Sequence, residues 1–333
     1  MFSAAAFILS LAAVAGAHEI SNAAELEKAL ADARGGEMVE LVHGEYGALA
    51  LSGRIFSERV TIKAADHASP PRFKSITLIG VKGLSFDGVI VELGPARPMR
   101  DYAVTIRRSA NIDFSNFDVS SASDGVIGND GYGFMIRDSK GVTLSSGKIH
   151  DIFRGVSSLD NDDVKISTVS FTKFGSDGVV ARGAVGLTIE ECLFTGAALV
   201  DPLKYHPDGI QIWSRGAVRA NQNIVIRNNR IIQGDGDSTQ GVFIRTQEIQ
   251  SKNITVDSNE ITQSRWQGIF VENANGVSIR KNRVTPSREG SLPGIELRAP
   301  IENANTEHNI AASWRLAPGV TSVDDISTDP RRR

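Results

Sequence analysis

Down the chain, a five-residue block recurs in which Gly is followed by apolar, variable, apolar and variable positions. It reads "GFMIR" (133–137), "GVSSL" (155–159), "GVVAR" (178–182), "GIQIW" (209–213), "GVFIR" (241–245), "GIFVE" (268–272) and "GIELR" (294–298). Alternation with period two belongs to a strand buried on one side only. Most blocks are followed by a second alternating run, as in "GVTLSSGKI", "GLTIEECLF", "NIVIRNNRI" and "NITVDSNEI", then a break and another apolar pair. Asn229, Asn259 and Asn282 stand at that break, with Asn116 earlier and Cys192 where other repeats carry Asn. Asn tolerates left-handed backbone, so a column of Asn at one turn suits coils stacked in register.

Repeats of about 22 to 32 residues with three short strands each predict an all-β parallel β-helix, a solenoid in which each coil covers the next. A β-sandwich also has many short strands, but it does not demand one motif at one phase. Ahead of the repeats, "SNAAELEKALADARGGEMVEL" has Ser21 as cap candidate, an amphipathic helical pattern, and a glycine pair as stop. A helix there would cover the open end of the first coil, which "GEMVELVHGEYGALAL" supplies. These features resemble the start of pectin-lyase-like right-handed β-helix proteins, where a short helix leads into a strand and a G-x-Y turn. The resemblance covers most of residues 20–300. It implies a single-stranded right-handed parallel β-helix with an N-terminal capping helix. Residues 301–333, ending in "DPRRR", then read as a C-terminal cap and tail.

Composition narrows the partners. A net charge of −3 over 333 residues leaves no basic surplus for phosphate, so no nucleic-acid partner is expected. Residues 1–17 form an apolar run ending in Ala15-Gly16-Ala17 and read as a signal peptide, which predicts a secreted or periplasmic protein. No later run has membrane-spanning length, and a monomer is expected. Cys192 is alone, so no intrachain disulfide can form.

Strand phase then defines a surface. The second and fourth positions of each block point inward, and the third and fifth point outward. The fifth positions are Arg137, Leu159, Arg182, Trp213, Arg245, Glu272 and Arg298; the third include Gln211, Phe243 and Phe270. Coils lie about 4.8 Å apart, close to the advance of one sugar in an extended polysaccharide. Arginine pairs with carboxylate or sulfate, and aromatic rings cover the apolar faces of sugars. Arg154, Arg182, Gln211, Trp213, Phe243, Arg245, Trp266 and Glu272 are therefore candidate contacts for an acidic polysaccharide or oligosaccharide. The plain alternative is a solvated face whose mixed charges prevent aggregation.

The residues just before the recurrent Gly make a further column: Arg154, Asp177, Asp208, Gln240 and Gln267. Beside it, "KYHPD" (204–208) ends a lengthened loop, and lengthened loops in a tight solenoid usually carry function. Elimination on a uronic acid needs a cation on the carboxylate, a base for the C5 proton and an acid for the leaving oxygen. Arg182 and Arg245 suit the first task, His206 or Lys204 the second, and Tyr205 the third. C5-epimerisation begins with the same proton abstraction, and sequence does not separate the two. A glycoside hydrolase would instead use Asp177 and Asp208 as a carboxylate pair. A non-catalytic carbohydrate-binding or surface β-helix is the third reading. Asp pairs, "GDGD" (234–237) and "LDNDD" (159–163) are compatible with Ca²⁺, though none completes a known loop and polar turns account for them. The motif sets of polygalacturonases and pectate lyases are absent, and "YHPDG" is only loosely similar to the alginate-epimerase "DPHD" signature.

Overall fold

The computed structural model describes residues 19–94, 101–121, 125–200 and 206–329. The expected signal segment, and the candidates Lys204 and Tyr205, lie outside these residues. The described chain is a parallel β-solenoid with three strands per turn. Two of the strand columns join in one 21-stranded sheet, and the third column forms an 11-stranded sheet. The column that matters below contains Tyr102–Arg107, Tyr132–Arg137, Arg154–Leu159, Asp177–Arg182, Asp208–Trp213 and Gln240–Arg245. It continues in the first halves of Gln267–Arg280 and Gly294–Glu307. Every printed pairing in it is parallel, and the five-residue blocks stand in matched phase.

The inward positions form the core as the alternation predicts: Val179, Ala181, Ile210, Ile212, Val242 and Ile244 are wholly buried. The recurrent glycines are explained by contact rather than by backbone angle. A Cβ on Gly178 would lie 2.5 Å from a Phe194 ring carbon and 2.7 Å from the carbonyl oxygen of Gly209. A Cβ on Gly241 would lie 2.2 Å from the carbonyl oxygen of Gly268. Each coil thus rests on the backbone of the next at a point where no side chain fits.

The asparagine column exists, but its physical basis differs from the expectation. The left-handed residues are those just before it, among them Glu191, Asn228, Ser258, Lys281 and His308. Asn116 belongs to that preceding column, and Phe117 occupies the ladder position. Asn229, Asn259 and Asn282 are buried, and each takes a backbone N–H from the coil before on its Oδ1: Cys192 N to Asn229 at 3.0 Å, Asn229 N to Asn259 at 3.0 Å, Asn259 N to Asn282 at 3.0 Å. Asn309 extends the ladder, and Asp325 ends it by accepting from Asn309 N at 2.8 Å. A side-chain amide is needed because a turn inside a stack buries N–H and C=O groups that water cannot reach. Cys192, at the head of this ladder, is buried, and burial pushes its thiol up to about 12.

Both ends refine the sequence reading. The helix is Ala23–Asp32, and its cap is Asn22, whose Oδ1 accepts from Glu25 N at 3.0 Å; Ser21 instead donates its N–H to Glu25 Oε2 at 2.8 Å. Leu26 and Leu30, one turn apart, are buried over the first coil. Tyr46 of the G-x-Y turn donates its hydroxyl to the carbonyl of Ile20 at 2.6 Å, tying that coil to the segment before the helix. At the other end, parallel pairing runs on through Ser313–Leu316 and Thr321–Val323 to Ile326–Ser327. The boundary expected at residue 300 therefore falls inside the solenoid. The hydrophobic period is hard to see there because Thr321–Val323 and Ile326–Ser327 bury no residue, and apolar Val323 and Ile326 stand exposed.

Candidate active site

Asp177 and Asp208 are Cα partners on adjacent rungs, and Gln240 follows in the same register. A ladder of this kind converts residues 31 positions apart into neighbours about 4.8 Å apart. The two carboxylates nevertheless have unlike surroundings. Asp177 Oδ2 accepts from Ser176 Oγ at 2.7 Å and from Arg154 Nε at 3.2 Å. The Arg154 guanidinium also lies 5.5 Å from the centre of the Tyr132 ring, between an aromatic face and a carboxylate. Asp208 has no guanidinium partner among the described residues. It is fully buried, and its Oδ2 accepts from Gln211 Nε2 at 2.6 Å. Its Oδ1 makes no hydrogen bond and lies 3.5 Å from His206 Nδ1.

These surroundings set the proton affinities. Burial pushes Asp208 up to about 6; the Asp177 charge adds to the shift, while His206 and Gln211 oppose it. His206 is raised above its ordinary value, chiefly by its approach to Asp208, with burial opposing. Each group therefore holds a proton more readily than it would in water, for different reasons. On His206 the carboxylate stabilises it, and on Asp208 it removes a buried charge. The other ring nitrogen of His206, Nε2, makes no hydrogen bond among the described residues, and the side chain is 44% exposed. A half-exposed imidazole with Nδ1 beside a buried carboxylate, and with Nε2 unbonded among the described residues, is fitted to take or give a proton.

The wall beside His206 is aromatic. Phe243 meets it edge-on at 6.4 Å between ring centres and stacks on Phe270 at 4.7 Å. Arg298 covers the far face of Phe270, with its guanidinium carbon 4.9 Å from the ring centre. This stacking buries Phe270, and the outward third positions Ser157, Val180 and Glu296 are buried as well. The groove floor is thus more closed than alternation alone implies, because side chains on adjacent rungs cover one another.

The structure brings His206, Asp208, Asp177, Arg154, Gln211 and Phe243 into one region. Arg182 and Trp213 lie beside it in the fifth-position column. Arg245 and Glu272 are also in that column but face each other, with Arg245 Nε 2.9 Å from Glu272 Oε2, so neither is free for substrate. Trp266 is 40% exposed under the guanidinium of Arg315, 4.8 Å from its ring centre. Sequence reasoning missed Ser176, Tyr132 and Arg265. Tyr132 was legible, since "YGFMIR" places it at the phase of Arg154 and Asp177. Arg265 acts only through its charge, which opposes protonation of His206.

Among the described residues the two carboxylates gather no cluster of metal ligands. Arg154 occupies Asp177, His206 stands against Asp208, and no group of three or more metal-ligating side chains occurs among the described residues. Of the "GDGD" and "LDNDD" acids, Asp237 accepts from Leu199 N at 2.6 Å, and Asp162 pairs with Arg219 at 2.7 Å. Among the described residues no helix is long and apolar enough to cross a membrane.

A family described as the right handed beta helix region matches residues 102–284, more than half of the chain. The chain belongs to this right-handed β-helix family, and its fold is pectin-lyase-like. Among solved structures, the alginate lyase from Paenibacillus sp. str. FPU-7 aligns with a TM-score of 0.59 at 14% identity, over 93% of this chain and 98% of that one. The A-module of the mannuronan C-5 epimerase AlgE4 from Azotobacter vinelandii aligns with a TM-score of 0.52 at 14% identity, over 92% and 95%. The Dettilon tailspike protein aligns with a TM-score of 0.53 at 12% identity, over 92% of this chain and 62% of its own. Likeness at such identities is likeness of fold. No curated protein sequence matches the chain.

Proposed function

We propose that this protein is an enzyme that acts on an acidic polysaccharide by removing the C5 proton of a uronic acid, leading to β-elimination or C5-epimerisation. One observation carries the reading. The His206 side chain is 44% exposed, its Nδ1 lies 3.5 Å from the buried carboxylate of Asp208, and its Nε2 makes no hydrogen bond among the described residues. Nε2 takes the proton from C5, and Asp208 orients the ring and stabilises the imidazolium. Arg182 neutralises the substrate carboxylate, which acidifies the C5 proton. In elimination the released electron pair forms the C4–C5 double bond, the C4–O bond breaks, and the proton passes to the leaving oxygen. In epimerisation a proton returns to the opposite face of C5. The solved structures named above include an alginate lyase and a mannuronan epimerase, which accords with this chemistry.

A hydrolase built on Asp177 and Asp208 fits less well. Asp208 is sealed from the groove, and Asp177 is held by Ser176 and Arg154. The test is incubation with polymannuronate and polygalacturonate, following absorbance of the unsaturated product together with solvent deuterium uptake at C5. Wild type is expected to give one or both signals, and His206→Gln to lose them by at least about 100-fold. New reducing ends without either signal, or full turnover by His206→Gln, would overturn the proposal.

A further inference from the structure

The fifth-position column runs Arg107, Arg137, Leu159 and Arg182 on consecutive rungs, and later Trp213, Arg245, Glu272 and Arg298. Its two halves differ in charge state. Toward the C-terminus, Arg245 is 2.9 Å from Glu272, while Arg298 is 2.8 Å from Glu296 and 3.8 Å from Glu272. That half is compensated. Toward the N-terminus, among the described residues, Arg182 Nη1 donates to the backbone carbonyl of Arg215 at 3.3 Å, and its buried Nε has no partner. Arg107 Nε has none either, and Arg137 has only Asp138, 3.4 Å from Nε and without a hydrogen bond. Among the described residues, Arg107 and Arg182 meet no carboxylate at ion-pair distance. Beside this half, the turn residues Arg108, Asp138, Lys140 and Asp160 line a cleft of about 420 Å³ with Val218 at its rim.

We propose that Arg137 and Arg182, with apolar Leu159 between them, are carboxylate subsites that read every second unit of an unbroken polyuronate held on the N-terminal side of the His206 rung. The spacing supports this. Two rungs separate the arginines, about 10 Å. An extended 1,4-linked chain with twofold symmetry presents its carboxylates on one side at every second sugar, also about 10 Å, and offers the apolar face of the intervening ring to Leu159. Arg182 meets no carboxylate among the described residues, and Arg137 has only Asp138, 3.4 Å away and without a hydrogen bond, so their terminal guanidinium donors are freer for a ligand carboxylate than those of Arg245 and Arg298, which would first have to leave Glu272 and Glu296.

The inference rests on the acidic-polysaccharide reading, so its test reads binding separately from turnover. Affinity electrophoresis of the full chain in gels containing polymannuronate, polygalacturonate or a neutral glucan measures retention without chemistry. Wild type is expected to be retarded by the polyuronates and not by the glucan. Arg137→Gln should weaken that retention about five- to tenfold, and Arg245→Gln by less than twofold. Random methyl esterification of half the carboxyls should weaken wild-type retention and narrow its difference from Arg137→Gln. Equal losses in Arg137→Gln and Arg245→Gln, or unchanged retention of Arg137→Gln, would overturn the proposal. Asymmetric retention without turnover on any polyuronate would uphold these subsites and defeat the reaction; turnover with symmetric losses would do the reverse.

Discussion

Asp208→Asn is expected to make the protein more stable and less active at once. Asp208 is fully buried, and burial raises it from 3.8 to about 6. A raised carboxyl means that the folded state resists ionisation more than the unfolded chain does. The penalty is absent below about pH 4, grows as pH rises from 3.8 toward 6, and is constant above that. A shift of about two units at 1.36 kcal/mol per unit gives about 3 kcal/mol at pH 8, and between 1 and 2 kcal/mol at pH 5. Asparagine removes the charge and keeps the shape. Its carbonyl accepts from Gln211 Nε2 in place of Oδ2, and its amide N–H faces His206 Nδ1. Thermal unfolding of Asp208→Asn should therefore rise by a few degrees at pH 8 and converge with wild type near pH 4. Activity should move the other way. Asp208 is the largest cause raising His206, and among the remaining influences burial and Arg265 both lower it. The acid limb of the pH–rate profile should shift to lower pH, while the plateau falls by about 100- to 10,000-fold because the ring loses its orienting partner. A lower melting temperature at pH 8, or a gain of the same size at pH 4, would refute the reasoning.

Two further substitutions test other parts of the coil. His150 lies between Asp118 at 2.8 Å and Asp151 at 2.7 Å, and the Asp118 hydrogen bond, against burial, raises it to about 9. Its stabilisation is therefore full below about pH 6.5 and lost as pH rises through 9. After allowance for solvent screening it amounts to about 2 kcal/mol, so His150→Ala should lower the melting temperature at pH 6 and much less at pH 10. Gly178→Ala would press a Cβ to 2.5 Å from Phe194 and 2.7 Å from the Gly209 carbonyl, at a point where neither neighbour can retreat. Urea unfolding should show a loss of about 1–3 kcal/mol, and a neutral result would remove the contact explanation of the glycine column.

The fold was legible because a solenoid repeats each local decision. Val179, Ile210 and Val242 point inward for one reason given three times, and the glycines before them share one steric cause. The column Arg154, Asp177, Asp208 could be written down from phase alone, and the coordinates stack it as expected. What phase does not contain is the direction in which a side chain finds its partner. Arg245 and Glu272 were read as groove contacts because they alternate outward; their mutual pairing at 2.9 Å depends on rotamers that the period leaves free. The same holds for Asn229. Its left-handed tolerance suggested the turn, yet its work is done by an amide reaching across coils, while the neighbouring Asn228 takes the left-handed angle. The C-terminal coils were missed for a third reason: Thr321–Val323 and Ile326–Ser327 have no buried inward position for alternation to register.

The rung that carries His206 is also where two separate columns change character. In the column before the glycines, Asp177 has a cation one rung back, Arg154, whereas Asp208 has a neutral amide one rung on, Gln240. In the fifth-position column, uncompensated arginines end at Arg182, and beyond Trp213 each arginine faces a glutamate. A polyanion drawn over the N-terminal rungs would thus meet the last uncompensated arginine of that column one coil before the histidine. Nothing in a repeating fold requires both changes to coincide. A reaction that must neutralise a carboxylate and then move a proton on the adjoining carbon does require it, because the cation and the base have to act on neighbouring atoms of one sugar.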